Sequence, residues 1–233
     1  MIKGILLDYG GTIDTNGRHW AEVLWDCYVN NKVPVTKESF REAYKFGEFS
    51  LATSPLVLPA HNFLKVLELK IERQFFHLQE NEKLVAGDYN QLVKNIAADA
   101  NTIAANCIKE TSVTLDWLAS RYPLVMVSNF YGNLETVIST FDIRQYFKSI
   151  VESAVVGVRK PGAEIYTLAV ERLGMPADQC LVIGDSYSKD MVPGKEAGCK
   201  TAWLKKDGWG DDPSDLGKAD FVISDFSEVK SLL

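Results

Sequence analysis

The feature that most constrains this chain is the alternation of helical patterns with short apolar runs in its second half. After residue 129, segments with apolar residues at helical spacing, such as AEIYTLAVERLG, alternate with strand-like runs such as CLVIGD and KTAWL. Strands separated by helices pair in parallel through right-handed crossovers, and the helices then cover both faces of the sheet. Gly174 and Gly198 stand where such helices should end in a left-handed residue. The sequence therefore predicts an α/β fold with a parallel sheet between two helical layers.

The segment from residue 18 to residue 107 has a different pattern. Its stretches HWAEVLWDCYVNN, TKESFREAYKFGEF and FLKVLELKIERQFFHLQEN carry apolar residues at helical spacing, and no run in it is typical of a strand. We therefore expect an all-helical domain at 18–107, inserted into a core formed by residues 1–17 and 108–233. Aromatic residues in such helices can line a ligand pocket, although most of them form the domain's own core.

The composition limits the kinds of partner that the chain can bind. The 233 residues are 46% hydrophobic and carry a net charge of −6, so they can form a sizeable core but offer no basic surface for nucleic acid or anionic membranes. No apolar run approaches the length of a membrane-spanning helix. The four cysteines are widely spaced, which indicates free thiols in a reducing compartment. We expect a cytoplasmic protein that binds a small molecule. The sequence does not indicate an oligomeric state.

Polar residues follow two of the apolar runs at the point where a strand should end. The run ILL leads into Asp8, which is followed by Gly10, Gly11 and Thr12. The run LVMV leads into Ser128 and Asn129, whose hydroxyl and amide groups suit the oxygens of an anion. Ligands of open α/β sheets bind outside the carboxyl ends of the strands, so Asp8 is placed for catalysis. The Ser-Asn pair alone is a weak signal, because it is also common where a helix begins.

Two further segments carry charged groups at comparable positions. In VRKPGAEIY, Lys160 stands just before a proline and the start of a helical pattern, where it can bring a positive charge to a phosphate or a carboxylate. In LVIGDSYSKD, an apolar run ends in Asp185, and Asp190 follows five residues later in the first turn of the next predicted helix. Two converging carboxylates would suit Mg²⁺. An acid in the first turn of a helix can also serve only to stabilise that turn.

Together these segments resemble the motifs of the haloacid dehalogenase superfamily of hydrolases. The similarity covers the aspartate-first loop DYGGT, the serine motif VSN, the lysine motif RKPGAEIY and the acidic motif GDSYSKD, and it extends along the whole chain. The helical insert occupies the position of a C1-type cap, as in subfamily I members. The resemblance implies a three-layer, Rossmann-like core that carries this cap.

The resemblance also implies a role for each matching residue. Asp8 would be the nucleophile that forms an aspartyl-phosphate, which water then hydrolyses. The implied catalytic set is Asp8, Ser128 and Lys160. The implied contacts with substrate come from Thr12, Ser128, Asn129 and Lys160. Mg²⁺ would be held by Asp8, the backbone carbonyl of Gly10, Asp185 and, directly or through water, Asp190. The substrate would be a small phosphorylated metabolite.

One position departs from the pattern of the family's phosphatases. They carry a second aspartate two residues after the nucleophile, and this chain has Gly10 there. That aspartate protonates the leaving oxygen and activates the hydrolytic water, and such acid–base help is worth about 10²–10⁴ in rate. An acid from the insert could replace it, and His19, Glu22, Asp26 and Glu38 are candidates. An acid that usually comes later in the loop also appears one place early, as Asp14.

Three functional alternatives follow from this departure. The chain could be a phosphatase for substrates with good leaving groups. It could be a dehalogenase or a phosphonate hydrolase, although the former has tyrosine and the latter alanine at the position of Gly10. The retained acids favour a metal-dependent phosphohydrolase over a dehalogenase. Lysines of the insert, among them Lys32, Lys37 and Lys45, leave an imine mechanism of the phosphonate hydrolase type open. The third alternative is a catalytically weak member that binds a ligand.

Overall fold

The computed structural model describes residues 1–206 and 217–233. The strands are β1 Gly4–Leu7, β2 Leu124–Ser128, β3 Phe147–Glu152, β4 Cys180–Gly184, β5 Lys200–Leu204 and β6 Phe221–Ile223. The α-helices are α1 Trp20–Asn30, α2 Lys37–Thr53, α3 Phe63–Glu80, α4 Asn90–Ala119, α5 Leu134–Thr140, α6 Ser153–Val156, α7 Glu164–Leu173 and α8 Val192–Glu196. Short 3₁₀ segments occupy Arg144–Tyr146, Ala177–Gln179 and Phe226–Ser231, and a π-helical turn occupies Tyr187–Met191.

The strands form one parallel sheet in the order β3-β2-β1-β4-β5-β6. The chain passes outward from β1 through β2 to β3 and then crosses back to β4, so the strand order reverses beside β1. In open α/β sheets the crevice at the carboxyl ends of the strands around such a reversal is the usual ligand site. The predicted α/β fold with a parallel sheet is confirmed, and its topology places the ends of β1, β2 and β4 side by side.

Helices cover both faces of the sheet, as the alternation in the sequence predicts. Successive side chains of a strand point to opposite faces, and β1 divides accordingly. Ile5 and Leu7 pack in the cluster that contains residues of α4 and α5, whereas Leu6 packs in the cluster that contains residues of α7. Gly174, with φ +75°, ends α7, and Gly198, with φ +87°, follows α8. The predicted left-handed helix ends are therefore confirmed.

Between β1 and β2 the chain forms α1 to α4 and no strand, which confirms the predicted helical insert. Helix α2 is amphipathic, because its buried residues recur at helical spacing: Phe40, Ala43, Tyr44, Gly47, Ser50 and Leu51. The side chain of Thr36 caps its first turn by accepting a hydrogen bond from the N–H of Ser39 at 3.1 Å. This buried side of α2 packs against α3, so the insert has its own apolar interior.

Helix α4 connects the insert to the core. It has 30 residues and runs without interruption through residue 107, so the predicted boundary there falls inside a helix and stays a prediction. The Thr111 hydroxyl on this helix donates to the carbonyl of Ile13 at 2.9 Å, which joins α4 to the loop after β1. Among residues 1–206 and 217–233, no helix is both long enough and apolar enough to span a membrane.

Candidate active site

Asp8 directly follows β1 and lies at the centre of the crevice. The sheet fixes its main chain, because its N–H donates to the carbonyl of Ile183 at 3.0 Å. Its side chain is almost fully buried. Its Oδ1 accepts a hydrogen bond from Lys160 Nζ at 2.7 Å, and its Oδ2 accepts one from the Thr12 hydroxyl at 3.0 Å. A buried carboxylate is therefore held in one orientation at the edge of the sheet.

Lys160 lies between two carboxylates. Its Nζ is 2.7 Å from Asp8 Oδ1 and 2.6 Å from Asp190 Oδ1, and its side chain is only 3% exposed. Asn129 holds its main chain, since Asn129 Nδ2 donates to the Lys160 carbonyl and the Lys160 N–H donates to Asn129 Oδ1, each at 3.0 Å. The Asn129 side chain thus positions Lys160. A contact between Asn129 and substrate stays a prediction.

Asp190 anchors Lys160 from the other side. It lies in the first turn of the π-helical segment Tyr187–Met191, which follows β4 and precedes α8, so the prediction that it belongs to the first turn of the next helix is confirmed. Its Oδ1 also accepts a hydrogen bond from the Tyr166 hydroxyl at 2.7 Å, and its Oδ2 accepts one from the Ser186 N–H at 3.0 Å. Protein donors therefore engage both oxygens of Asp190.

The pKa values of Asp8 and Lys160 reflect burial and charge together. Burial raises the pKa of Asp8 to about 6, although the charge of Lys160 acts in the opposite direction. Burial alone would lower the pKa of Lys160, but the charges of Asp190 and Asp8 outweigh it and raise that pKa above its ordinary value. Lys160 is therefore a permanent cation. Asp8 is largely ionised at neutral pH only because the lysine offsets part of the effect of burial.

Thr12 connects Asp8 to Asp185, the acid that follows β4. The Thr12 hydroxyl oxygen accepts a hydrogen bond from the Asp185 N–H at 3.1 Å while its own hydrogen is directed to Asp8 at 3.0 Å. Thr12 is fully buried. The threonine thus sets the spacing between the ends of β1 and β4, and its predicted contact with substrate stays a prediction.

The structure requires glycine at only one of the two positions 10 and 11. A Cβ atom on Gly11 would lie 2.3 Å from Asp185 Oδ2, and the φ of Gly11 is +95°, so this position requires glycine. A Cβ atom on Gly10 would meet no atom within 4 Å, and Gly10 is absent from the positive-φ residues. Neither space nor backbone conformation therefore explains the glycine that replaces the second acid.

Asp14 is the displaced acid of the loop. Its Oδ1 accepts a hydrogen bond from the Gly11 N–H at 2.7 Å, and its Oδ2 accepts one from Trp20 Nε1 at 2.9 Å. Burial raises its pKa to about 7, even though these hydrogen bonds act in the opposite direction. Asp14 therefore stabilises the loop that carries Gly10 and Gly11, and it also joins the lining of the crevice.

Three carboxylates converge at the edge of the sheet. Asp8, Asp185 and Asp190 each bring one oxygen within 4.8 Å of the others. Burial, followed by the charges of Asp8 and Asp190, raises the pKa of Asp185 well above its ordinary value. Hard oxygen donors at this separation, with unfavourable mutual repulsion, fit a divalent cation. The backbone carbonyl of Gly10 remains a predicted fourth ligand, and Gly10 lines the same crevice.

These residues line a cavity of about 180 Å³ between the sheet edge and the helical insert. Ser128, the last residue of β2, is almost fully buried and belongs to the lining. The sheet topology therefore brings Asp8, Ser128 and Asp185 to one cavity, and the segments after β3 and β4 add Lys160 and Asp190 to it. The insert closes this cavity with the following residues: His19, Trp20, Tyr44, Glu48, Phe63, Val66 and Lys70.

The insert residues that reach the cavity differ from most of those considered from the sequence. Of the candidate acids, His19 lines the cavity, whereas Glu22 pairs with Lys37 at 3.0 Å and Asp26 pairs with Arg18. The fourth candidate is exposed, as are the three candidate lysines of the insert: Glu38, Lys32, Lys37 and Lys45. Burial lowers the pKa of His19, so its ring is neutral at pH 7.

The structure also brings in residues that the sequence did not single out. Tyr166, which binds Asp190, lies within the quoted segment RKPGAEIY, so its position in that motif could have indicated a role. Glu48, Lys70 and Lys189 also line the cavity. No motif marks Glu48 or Lys70, because only the packing of α2 against α3 brings them together.

The sheet order and the residues at the strand ends define a ligand site of an α/β protein with an aspartate at its centre. The family model of haloacid dehalogenase-like hydrolases matches residues 36–204, which is more than half of the chain. The chain therefore belongs to this family and is a hydrolase. The matched region begins after Asp8 and Gly10, so the assignment of the first loop rests on the motif and the geometry described above.

Three known proteins illustrate what the chain is similar to. It is 26% identical over 184 residues to the pyrimidine 5'-nucleotidase YjjG of Escherichia coli K12, covering 78% of this chain and 77% of that protein. It is 30% identical over 97 residues to the 5-amino-6-(5-phospho-D-ribitylamino)uracil phosphatase YigB of the same organism, covering 42% of this chain but only 39% of that protein. The magnesium-bound HAD-hydrolase YfnB of Bacillus subtilis shares the fold, with a TM-score of 0.64 and 19% identity over 100% of this chain and 98% of that chain.

Proposed function

We propose that the chain is a Mg²⁺-dependent phosphohydrolase that acts on a small phosphorylated metabolite through an aspartyl-phosphate at Asp8. One observation carries the proposal: a buried carboxylate at a strand end is paired with a buried lysine and faces a cavity. A dianionic phosphoryl group needs a nearby cation before it can approach an anionic nucleophile, and Lys160 supplies one. The phosphatase and the 5'-nucleotidase described above support the reaction class.

In the first step, one oxygen of Asp8 attacks phosphorus and the bond between phosphorus and the leaving oxygen breaks. Lys160 stabilises the phosphoryl oxygens as negative charge moves onto them, and the Ser128 hydroxyl donates to the same group. The leaving oxygen takes a proton from solvent water. In the second step, water attacks phosphorus and gives its proton to solvent, the bond between phosphorus and the Asp8 oxygen breaks, phosphate departs and the Asp8 carboxylate is restored. Asn129 and Thr12 act by holding Lys160 and Asp8 in position.

Mg²⁺ would be held by Asp8, Asp185 and the backbone carbonyl of Gly10, with Asp190 supporting the site through water. When bound, the ion neutralises charge on the phosphoryl oxygens and on the carboxylates around it. The three convergent carboxylates support this assignment, because their oxygens lie within 4.8 Å of one another. Asp190 would act through water because Lys160, Tyr166 and the Ser186 N–H already engage its oxygens.

The geometry favours this reaction over the alternatives within the family. A phosphonate hydrolase of the imine type needs an uncharged amine, but Lys70, the cavity lysine contributed by the insert, is paired with Glu48 at 2.6 Å. The charge of Glu48 raises the pKa of Lys70 despite the opposing effect of burial, so the amine stays protonated. A dehalogenase has no need for three convergent acids. By the same proposal, residues 18–107 act as a cap over the core, which consists of residues 1–17 and 108–233. The proposed enzyme is cytoplasmic.

The test is hydrolysis of acetyl phosphate and para-nitrophenyl phosphate in the presence of Mg²⁺. Hydrolysis of these two compounds does not depend on a strong general acid. The wild type should release phosphate, and Asp8→Asn should lose at least about 10³ of that rate because the nucleophile is gone. Asp26→Asn is the matched control, since Asp26 is exposed and pairs with Arg18 outside the cavity. Beryllofluoride with Mg²⁺ should stabilise the wild type against heat but not Asp8→Asn. Absence of both turnover and beryllofluoride binding in the wild type would reject the proposal.

A further inference from the structure

A polar cluster of three residues lines the cavity that also contains Asp8. Glu48 comes from α2, Lys70 from α3, and Tyr131 from the loop after β2. Lys70 Nζ lies 2.6 Å from Glu48 Oε1, and the Tyr131 hydroxyl donates to Glu48 Oε2 at 2.8 Å. All three residues line the same cavity as the catalytic residues. The leaving group of a phosphate ester bound at Asp8 would extend toward this cluster.

Lys70 has a donor to offer to a ligand. Lys70 as a whole is only 8% exposed. Among the residues that the structure describes, the partners of its ammonium group are Glu48 and Tyr131. An ammonium group carries three N–H donors, so one is left over. A buried donor that faces a cavity without a partner is unfavourable, and an oxygen acceptor on a ligand would satisfy it. Glu48, by contrast, already accepts from Lys70 and Tyr131.

The charges around the cavity indicate what kind of acceptor is suitable. Among the described lining residues there are five carboxylates but only three lysines. A divalent cation would roughly balance this excess, and the phosphoryl group of the substrate then adds negative charge again. The charge of Lys70 is moreover compensated by Glu48 at 2.6 Å. A second anionic group at Lys70 would therefore lie beside Glu48 and add to the negative charge of a cavity in which Lys189 already counts among the three lysines.

We propose that Lys70, held by Glu48 and Tyr131, recognises the leaving group through a neutral oxygen. Among phosphate monoesters with comparable leaving groups, those whose alcohol carries a further hydroxyl or carbonyl oxygen and no carboxylate should bind most tightly. This inference rests on the proposed phosphohydrolase function. Lys70 is then a specificity-determining residue, whereas Lys160 binds the phosphoryl group that all substrates share.

A second cavity gives the rest of the leaving group a place. It has a volume of about 770 Å³ and shares several lining residues with the first cavity, among them Glu48, Tyr131 and Lys189. Its outer wall is formed by the C-terminal end of α2 and by the segment around α6. Cavities of several hundred Å³ are typical for small metabolites, so the inner oxygen contact leaves room for a longer alcohol.

Binding to Asp8→Asn in the presence of Mg²⁺ tests this inference without requiring turnover. The ligands are inorganic phosphate, glycerol 1-phosphate, phosphoglycolate and phenyl phosphate, each titrated calorimetrically. Glycerol 1-phosphate should bind more tightly than the other two esters. Adding Lys70→Met should raise the Kd of glycerol 1-phosphate by about 10- to 100-fold, which is the range for one hydrogen bond to a charged group. The Kd of inorganic phosphate should change less than twofold.

Two further variants keep this test decisive. Lys65→Met is the matched control, because Lys65 is on the same helix and pairs with Glu68 at an exposed position. If Lys70→Met lowers the melting temperature too far, the double variant Lys70→Met/Glu48→Gln removes the lysine without leaving a lone carboxylate. The inference would be overturned if phosphoglycolate bound most tightly of the three esters, or if Lys70→Met weakened the binding of all four ligands equally. Failure of the phosphohydrolase proposal itself would show separately, as absent acetyl phosphate hydrolysis by the wild type.

Discussion

Replacing Lys160 with methionine separates the electrostatic role of this residue from its packing role. Methionine keeps most of the buried aliphatic stem but removes the ammonium group that lies 2.7 Å from Asp8 and 2.6 Å from Asp190. Two buried carboxylates then face each other without a cation. We expect a loss of folding stability at pH 8 and without Mg²⁺, together with a loss of phosphatase activity.

The structure sets the size of the effect. Removing one partner of a buried, hydrogen-bonded ion pair costs about 3–5 kcal/mol, because the remaining charge is left without compensation. For a chain of this length each kcal/mol corresponds to about 2–4 °C, so the melting temperature should fall by about 6–20 °C. Burial already raises the pKa of Asp8 to about 6 with the lysine present, and removing the lysine raises it further. At pH 5 the carboxyl group of Asp8 can therefore take up a proton, and the loss of stability should be smaller.

Urea unfolding of wild type and Lys160→Met at pH 5 and pH 8, with and without Mg²⁺, measures these differences directly. Lys65→Met is the control, since its exposed pair with Glu68 should contribute no more than about 1 kcal/mol. The loss at pH 8 should shrink at pH 5 and should shrink again when Mg²⁺ is added. A loss of equal size under all four conditions would refute the electrostatic explanation and indicate a packing effect.

Three other changes test neighbouring parts of the site. Gly10→Asp should raise kcat/KM for alkyl phosphates by about 10² relative to para-nitrophenyl phosphate, because a Cβ atom there meets nothing within 4 Å and an acid would help a poor leaving group. Gly11→Ala should lower the free energy of unfolding by about 1–3 kcal/mol in urea melts, because φ is +95° and the new Cβ would collide with Asp185. Burial raises the pKa of Asp14 from 3.8 to about 7, so the folded state binds this proton more tightly than the unfolded state. Stability without Mg²⁺ should therefore fall as pH rises from 4 to 7, and Asp14→Asn should reduce that slope.

Much of the core site was predictable because parallel α/β topology converts sequence order into spatial proximity. Asp8, Ser128 and Asp185 each stand at the end of an apolar run, and parallel strands place all such ends at one edge of the sheet. Lys160 has no such position, since it lies between β3 and α7, and the lysine motif identified it instead. The sequence pattern therefore predicted which residues meet but not how they meet.

The contacts that the sequence did not predict depend on side-chain packing. Asn129 could equally have faced an anion, but its amide is used to hold the main chain of Lys160. Glu48 and Lys70 are separated by 22 positions on two helices whose polar residues follow no motif. Their meeting depends on the register of α2 against α3, which is set by apolar residues elsewhere in the insert.

The site therefore retains the groups that compensate charge but has no acid at position 10, whereas Asp14, whose pKa is raised to about 7 by burial, lines the same cavity. The cation between Asp8 and Asp190 and the convergent acids are all in place, whereas Gly10 occupies the acid's position without any steric or backbone requirement for glycine. His19 lines the cavity but is neutral at pH 7, because burial lowers its pKa. A site of this kind works best where charge repulsion, and not protonation of the leaving oxygen, limits the reaction. Its efficient substrates should therefore be esters or anhydrides with leaving groups of low pKa, and kcat/KM should fall steeply as the pKa of the leaving group rises.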